Sequence, residues 1–198
     1  MRIFFTTLWL LIILGGISMI FWHSELKYSL PTPVPPNYQP VKTGEYVELN
    51  GKLGSLNRPL FIHFFNPGCP CSRFNIDHFR SLVRKYGNRF DFAIVVMDKG
   101  HDHSAVDIQN KFDLSVPVSF DSTIAVTCGV YSTPQAVILD AQHRLYYRGN
   151  YNKSRYCSDV NSEYARMAAD SFLTHHINPQ FGPFAVTAYG CQLPNCTK

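Results

Sequence analysis

Phe64-Phe65-Asn66-Pro67-Gly68-Cys69-Pro70-Cys71-Ser72-Arg73-Phe74 decides how this chain folds. It continues an apolar, aromatic run from Leu60 that reads as a buried strand, breaks at Pro67-Gly68, and resumes at Ser72 as an amphipathic helix. Two thiols therefore sit at a strand-to-helix switch. The first turn of a helix has unpaired N–H groups at the positive end of its dipole, so a thiolate there is stabilised and becomes nucleophilic at neutral pH. Cys69 takes the N-cap position. Pro70 suits the first helical position, because its fixed φ matches a helix and its missing N–H would have had no partner.

Downstream, Phe79, Val83 and Tyr86 recur at helical spacing, flanked by Ile76 and Leu82, and predict a helix from Ser72 to Tyr86 stopped by Gly87. Phe90 to Met97 is a second nearly continuous apolar strand, of the kind found in a sheet covered on both faces. Ser104 can cap a helix to about Phe112, and Val116-Pro117-Val118-Ser119-Phe120 leads into a short helix ending at Gly129. Gln135 to Leu139 and Arg144 to Arg148, joined through Asp140-Ala141-Gln142-His143, read as an antiparallel hairpin. A final helix spans about Asn161 to His176. Upstream, a short strand near Tyr46 to Leu49 precedes a turn at Asn50-Gly51.

The run Phe-Phe-Asn-Pro-Gly-Cys-Pro-Cys between strand and helix resembles the thioredoxin-like superfamily, in particular its membrane-anchored bacterial redoxin and TlpA-like members. Cys128-Gly129-Val130-Tyr131-Ser132-Thr133-Pro134-Gln135 and the strand after it resemble that fold's cis-proline loop. The resemblance covers roughly Tyr46 to His176. It implies a thioredoxin-like three-layer α/β/α sandwich with a mixed central sheet, for which the order β-β-α-β-α-β-α-β-β-α is the required one. It also implies a cis Thr133–Pro134 bond that leaves the Thr133 backbone open for a peptide to pair with as an added strand. The departure lies in the cysteines: thioredoxins carry Cys-x-x-Cys, whereas one residue separates Cys69 from Cys71 here. Aligned without a gap, Cys69 takes the place of the attacking thiol, Ser72 that of the resolving thiol, and Cys71 has no counterpart.

The site expected is Cys69, Cys71, Thr133 and Pro134. Residues i and i+2 of a helix point to nearly opposite sides, so a Cys69–Cys71 disulfide could close only with Cys69 outside the helix. In the main reading Cys69 exchanges with a substrate disulfide or thiol and Cys71 resolves the mixed disulfide; in a weaker version another thiol resolves it. Cys157, Cys191 and Cys196 read as structural, with Cys157–Cys191 the expected bridge and Cys191–Cys196 the alternative, while a functional alternative has tail thiols relaying electrons to the Cys69 pair. Cys128 reads as a core thiol. His101-Asp102-His103 reads as a solvated loop rather than a metal site, His63 as a core histidine, His175-His176 as a helix end that suits cations, and Asp77 as a solvent-facing carboxylate.

Ahead of all this, Ile3 to Trp22 is a charge-free run of the ~20 residues needed to cross a bilayer, longer than the about 7–15 residues of a signal peptide's apolar region. The chain therefore divides into an N-terminal transmembrane anchor (1–24), a Pro-rich linker (25–43) read as an extended spacer, a thioredoxin-like domain (44–176) and a Cys-containing tail packed on it (177–198). Arg2 places the N-terminus in the cytoplasm and the domain in the periplasm or cell exterior. Six cysteines agree with an oxidising compartment. The net charge of +4 comes from scattered basic residues without a block, which gives no support to nucleic-acid binding.

These features predict a membrane-anchored thiol-disulfide oxidoreductase that acts through Cys-Pro-Cys on protein or small-molecule thiols and disulfides, with a membrane thiol reductant as a further partner and no organic cofactor. Rival readings are a Cu(I)-handling protein, since close thiolates near imidazole suit that ion, and a redox-inactive binding module. A peroxiredoxin-type peroxidase lacks support, because the Pro-x-x-x-Thr-x-x-Cys pattern is absent.

Overall fold

The computed structural model describes residues 2–26, 29–53, 58–98, 102–175 and 181–193. Helix α1 (Arg2–Phe21) runs on into one π-helical turn (Trp22–Leu26), and every residue of α1 is exposed. It is long and apolar enough to cross a membrane.

The domain is built on a five-stranded sheet. Its strands are β1 (Leu60–Phe65), β2 (Asp91–Val96), β3 (Val118–Ser119), β5 (Gln135–Leu139) and β6 (Leu145–Gly149), in the order β3-β2-β1-β5-β6. β1, β2 and β3 are parallel, whereas β5 and β6 are antiparallel. Alternation along β1 divides the core. Phe61 and Phe65 join Phe79, Phe112 and Tyr151 on one face; Leu60, Ile62 and Phe64 join Val95, Ile124 and Val137 on the other. A strand buried on both faces needs cover on both, which is why its sequence is unbroken in apolar residues. The first face carries α3 (Ile76–Tyr86), α4 (Ala105–Phe112) and α6 (Tyr164–His175); the second carries α5 (Thr123–Thr127) and the irregular segment around Val47, Leu49 and Leu53. Each fully buried Phe contributes about 1.5–3 kcal/mol. This is a thioredoxin-like α/β fold with a mixed central sheet.

Helix α4 starts where its cap predicts. The Ser104 hydroxyl accepts from Asp107 N (3.1 Å) while the Asp107 carboxylate accepts from Ser104 N (2.8 Å). Asp140 accepts from the N–H groups of Gln142 and Arg144, which fixes the β5–β6 turn. Gly129, at φ +67°, lies so close to Arg148 that a Cβ would stand 2.5 Å from its guanidinium nitrogen.

The structure differs from the sequence expectation in four places. The predicted Ser72–Tyr86 helix is split into α2 (Pro70–Arg73) and α3, because Asn75 turns its amide back to bond the Cys71 carbonyl (3.0 Å) instead of pointing to solvent. The Tyr46–Leu49 strand reduces to a single bridge, Tyr46 with Arg144, plus a bond from Val47 N to His143 O. The Pro-rich segment does not stand off as a spacer: Thr32 is buried with its N–H on Ala188 O, and Tyr38 packs edge-on against Tyr131 while bonding Gly129 O. A second, two-stranded sheet, which the sequence did not suggest, pairs β4 (Ser132–Thr133) with β7 (Cys191–Gln192).

Candidate active site

At the end of β1 the chain turns on Asn66, whose side-chain oxygen accepts from Gly68 N (2.8 Å) and whose carbonyl accepts from Cys69 N (3.0 Å). Cys69 then caps α2 with extended φ and ψ, and Pro70 opens the helix, as the sequence required. The N–H groups of Ser72 and Arg73 bond the Cys69 carbonyl, and the Cys69 side chain makes no cap bond.

The Cys69 sulfur is bonded to Cys191, 122 residues away, and the residue is fully buried. This corrects two expectations. An attacking sulfur open at a helix end is not what the structure holds, and the Cys157–Cys191 bridge is not formed. The reason is the path of the tail. After α7 (Pro183–Val186), Asn150 donates to the carbonyls of Phe184 (2.8 Å) and Thr187 (2.6 Å), which directs residues 188–193 across β4 and toward Cys69, not toward Cys157. Cys196 and the Cys191–Cys196 alternative lie outside the described residues, but the Cys191 sulfur is already bonded to Cys69.

Cys71 keeps its thiol, and the sulfurs of Cys69, Cys71 and Cys191 all lie within 4.8 Å of one another in a buried cluster. The Thr133–Pro134 bond is cis, but the Thr133 backbone is not open as expected: the residue is buried and paired with Cys191 across β4 and β7. The Thr133 hydroxyl is buried with no hydrogen-bond partner among the described residues. All four expected site residues thus converge, with Cys191 joining them.

A cavity of about 380 Å³ opens above the cluster, lined by Cys71, Asn75, Pro134, Tyr151, Arg155 and Tyr156. Its rim includes the end of the N-terminal helical segment: Glu25 accepts from Arg155 (2.8 Å) and from the Tyr156 hydroxyl (2.6 Å). Cys71, and not Cys69, is the sulfur-bearing residue on this wall.

The other cysteines and histidines singled out in the sequence, and Asp77, are elsewhere or structural. The Cys157 thiol donates to Asn75 Oδ1 (2.8 Å), and burial, aided by Glu163, pushes it up to about 12. Cys128 is a buried core thiol, likewise pushed up to about 12 by burial. His63 is buried with Nδ1 on the Tyr151 hydroxyl (2.7 Å); burial and the nearby His78 lower it from 6.5 to about 3. His103 pairs with Asp98 (3.1 Å), Asp77 pairs with Arg80 at the surface, and neither belongs to the cluster. His101 and His176 lie outside the described residues, as does the side chain of His175. Sequence reasoning missed Asn75 and Tyr151 as site residues and gave Cys191 a reacting role only in the alternative that has tail thiols relaying electrons to the Cys69 pair. Only Cys191 carried a usable signal, a second thiol flanked by Gly190 in an otherwise aperiodic tail.

Fold and site together define a thioredoxin-like α/β protein with a three-cysteine cluster at its cis-proline loop. Residues 39–192 match the family described as Domain of unknown function (DUF6436), and the chain belongs to that family. Among solved structures, it is similar to a hypothetical protein from Sinorhizobium meliloti 1021 (16% identity, 79% of this chain and 96% of that one covered, TM-score 0.64). It is also similar to an uncharacterized conserved protein from Geobacillus kaustophilus (18% identity, 76% and 92% covered, TM-score 0.60). A more distant likeness is to a thiol-disulfide oxidoreductase from Bacteroides fragilis NCTC 9343 (17% identity, 54% and 89% covered, TM-score 0.43). No curated protein matches the sequence.

Proposed function

We propose that this chain is a membrane-tethered thiol-disulfide oxidoreductase working outside the cytoplasm, with Cys69 and Cys71 as its reacting cysteines and Thr133 and Pro134 as its docking edge. One observation carries the reading: a disulfide and a thiol, the two reactants of an exchange, are held with all three sulfurs within 4.8 Å. A thiolate attacks one sulfur of a disulfide and displaces the other, so the reaction needs proximity and an ionisable thiol but no organic cofactor. Support for the tether comes from α1, and for an oxidising compartment from the Cys69–Cys191 bridge itself. The substrates are thiols or disulfides of proteins or small molecules, and a membrane thiol reductant is the matching electron source.

The test uses the full chain in detergent micelles, with turnover of a model protein disulfide by a dithiol as the readout. Cys69→Ala abolishes turnover, and Cys71→Ala lowers it by about tenfold or more, the loss of about 1.4 kcal/mol of transition-state stabilisation. Unchanged turnover in Cys71→Ala rejects the two-thiol reading. Membrane fractionation tests the tether: the chain pellets with membranes, and a version starting at Ser29 does not.

The same cluster favours one second reading. Once the bridge is reduced, three buried thiolates suit a Cu(I) ion. That reading requires stoichiometric Cu(I) binding by the reduced chain, lost in Cys69→Ser.

A further inference from the structure

The tail lies on β4 in the manner of a bound peptide. Cys191 pairs with Thr133 and Gln192 with Ser132 in an antiparallel ladder, and Leu193 N extends the contact to Tyr131 O (3.1 Å). The cysteine opposite Thr133 is the one linked to Cys69. Gly190 permits the fit: a Cβ there would stand 2.2 Å from Thr133 O and 2.5 Å from Ser132 Oγ. Thr32 holds the glycine from the other side, donating to its carbonyl (2.9 Å) and accepting from its N–H (2.9 Å).

We propose that residues 189–193 are a built-in stand-in for substrate, that Cys191 is a third reacting cysteine, and that the substrates are extended peptide segments carrying Gly-Cys. This rests on the oxidoreductase reading above. In the opening step the Cys71 thiolate attacks the Cys69 sulfur. The Cys69–Cys191 bond breaks, a Cys69–Cys71 bond forms, and Cys191 leaves as a thiolate that takes up the proton Cys71 gave away. One disulfide and one thiol stand on each side, so no outside oxidant or reductant is consumed. The tail then has no covalent bond to the site, and its ladder on β4 is one that a substrate strand of the same shape can replace. A residue with a Cβ before the substrate cysteine meets the same two oxygen atoms that Gly190 avoids.

The experiment uses the full chain in micelles carrying Cys71→Ser and Cys191→Ser, which leaves Cys69 as the one thiol of the cluster. A peptide copying Ala188–Leu193, and the same peptide with alanine at the Gly190 position, are each offered as a mixed disulfide with thionitrobenzoate. The Cys69 thiolate attacks the peptide sulfur and the coloured thiolate leaves. The glycine peptide couples at least about tenfold faster, a difference of about 1.4 kcal/mol, and peptide mapping finds it on Cys69. Equal rates, or attachment at Cys128 or Cys157, overturn the proposal. Should the double variant not fold, Gly190→Ala in the otherwise native chain decides: unseating the tail drives the exchange to the Cys69–Cys71 bond and Cys191 becomes open to iodoacetamide, whereas Gly182→Ala, with no atom within 4 Å of its Cβ, leaves Cys191 protected. Protection retained in Gly190→Ala overturns the proposal. The two readings fail separately. A glycine preference without disulfide turnover removes only the oxidoreductase reading, and turnover without that preference removes only this one.

Discussion

Cys191 faces Thr133 across a two-residue antiparallel ladder, and its sulfur is the partner of Cys69. Mapping under non-reducing conditions therefore recovers a Cys69–Cys191 linked peptide, with Cys71, Cys128 and Cys157 alkylated once the chain is unfolded. The bridge closes a loop of 122 residues, so Cys191→Ser lowers stability to urea by about 2–5 kcal/mol through the freedom returned to the unfolded chain. A recovered Cys157–Cys191 peptide contradicts this fold of the tail.

Asn150→Ala acts on the same segment at a distance. Its amide serves the carbonyls of both Phe184 and Thr187, and its own N–H bonds Ala185 O (2.8 Å). Removing the side chain strands two acceptors at about 1 kcal/mol or more each. Hydrogen exchange speeds up over residues 183–193, while amides of β1 and β2 keep their protection.

His63 supplies a pH signature. Its imidazole is neutral in the fold, lowered from 6.5 to about 3 by burial and by His78. The unfolded chain takes up this proton first, so the contribution is complete above pH 6.5 and is lost as the pH falls toward 3, at up to about 1.4 kcal/mol per pH unit. His78 is lowered as well and acts in the same direction. Thermal melts between pH 7 and pH 4 show the decline, and His63→Phe, which keeps the stack on Phe79, flattens it at the cost of the bond to Tyr151.

Thiol reactivity separates the core cysteines from the cluster. Cys128 and Cys157 are both pushed from 9.0 to about 12 by burial. Their thiolate fraction at pH 8 is about a thousandfold below that of an unperturbed thiol. Iodoacetamide labels them slowly in the folded chain and readily in urea. Rapid labelling of either in the native protein contradicts their placement.

The sequence was legible where side chains alternate or repeat. Leu60 to Phe65 reads as a strand because both of its faces need apolar cover, and Ser104 marks its helix because one hydroxyl and one carboxylate three residues on complete a cap. The convergence of Cys69 and Cys71 with Thr133–Pro134 followed from a resemblance spread over two distant motifs. The route of the tail to Cys69 was illegible for a physical reason: Gly182 to Leu193 is steered largely through its backbone carbonyls and N–H groups, which no side-chain pattern encodes. The break at Asn75 was hidden likewise, because an asparagine in an amphipathic run reads as solvent-facing until its amide is seen on the Cys71 carbonyl.

Thr32 touches both ends of the polypeptide's story. It sits a few positions beyond the apolar N-terminal span, yet it grips Gly190 next to the bridging sulfur. A pull exerted on the N-terminal helix would pass through the Thr32 hydroxyl to the N–H and carbonyl of Gly190, next to β7. Trimming from the front and trimming from the back are therefore the same injury, and each end serves as a gauge of whether the other is seated.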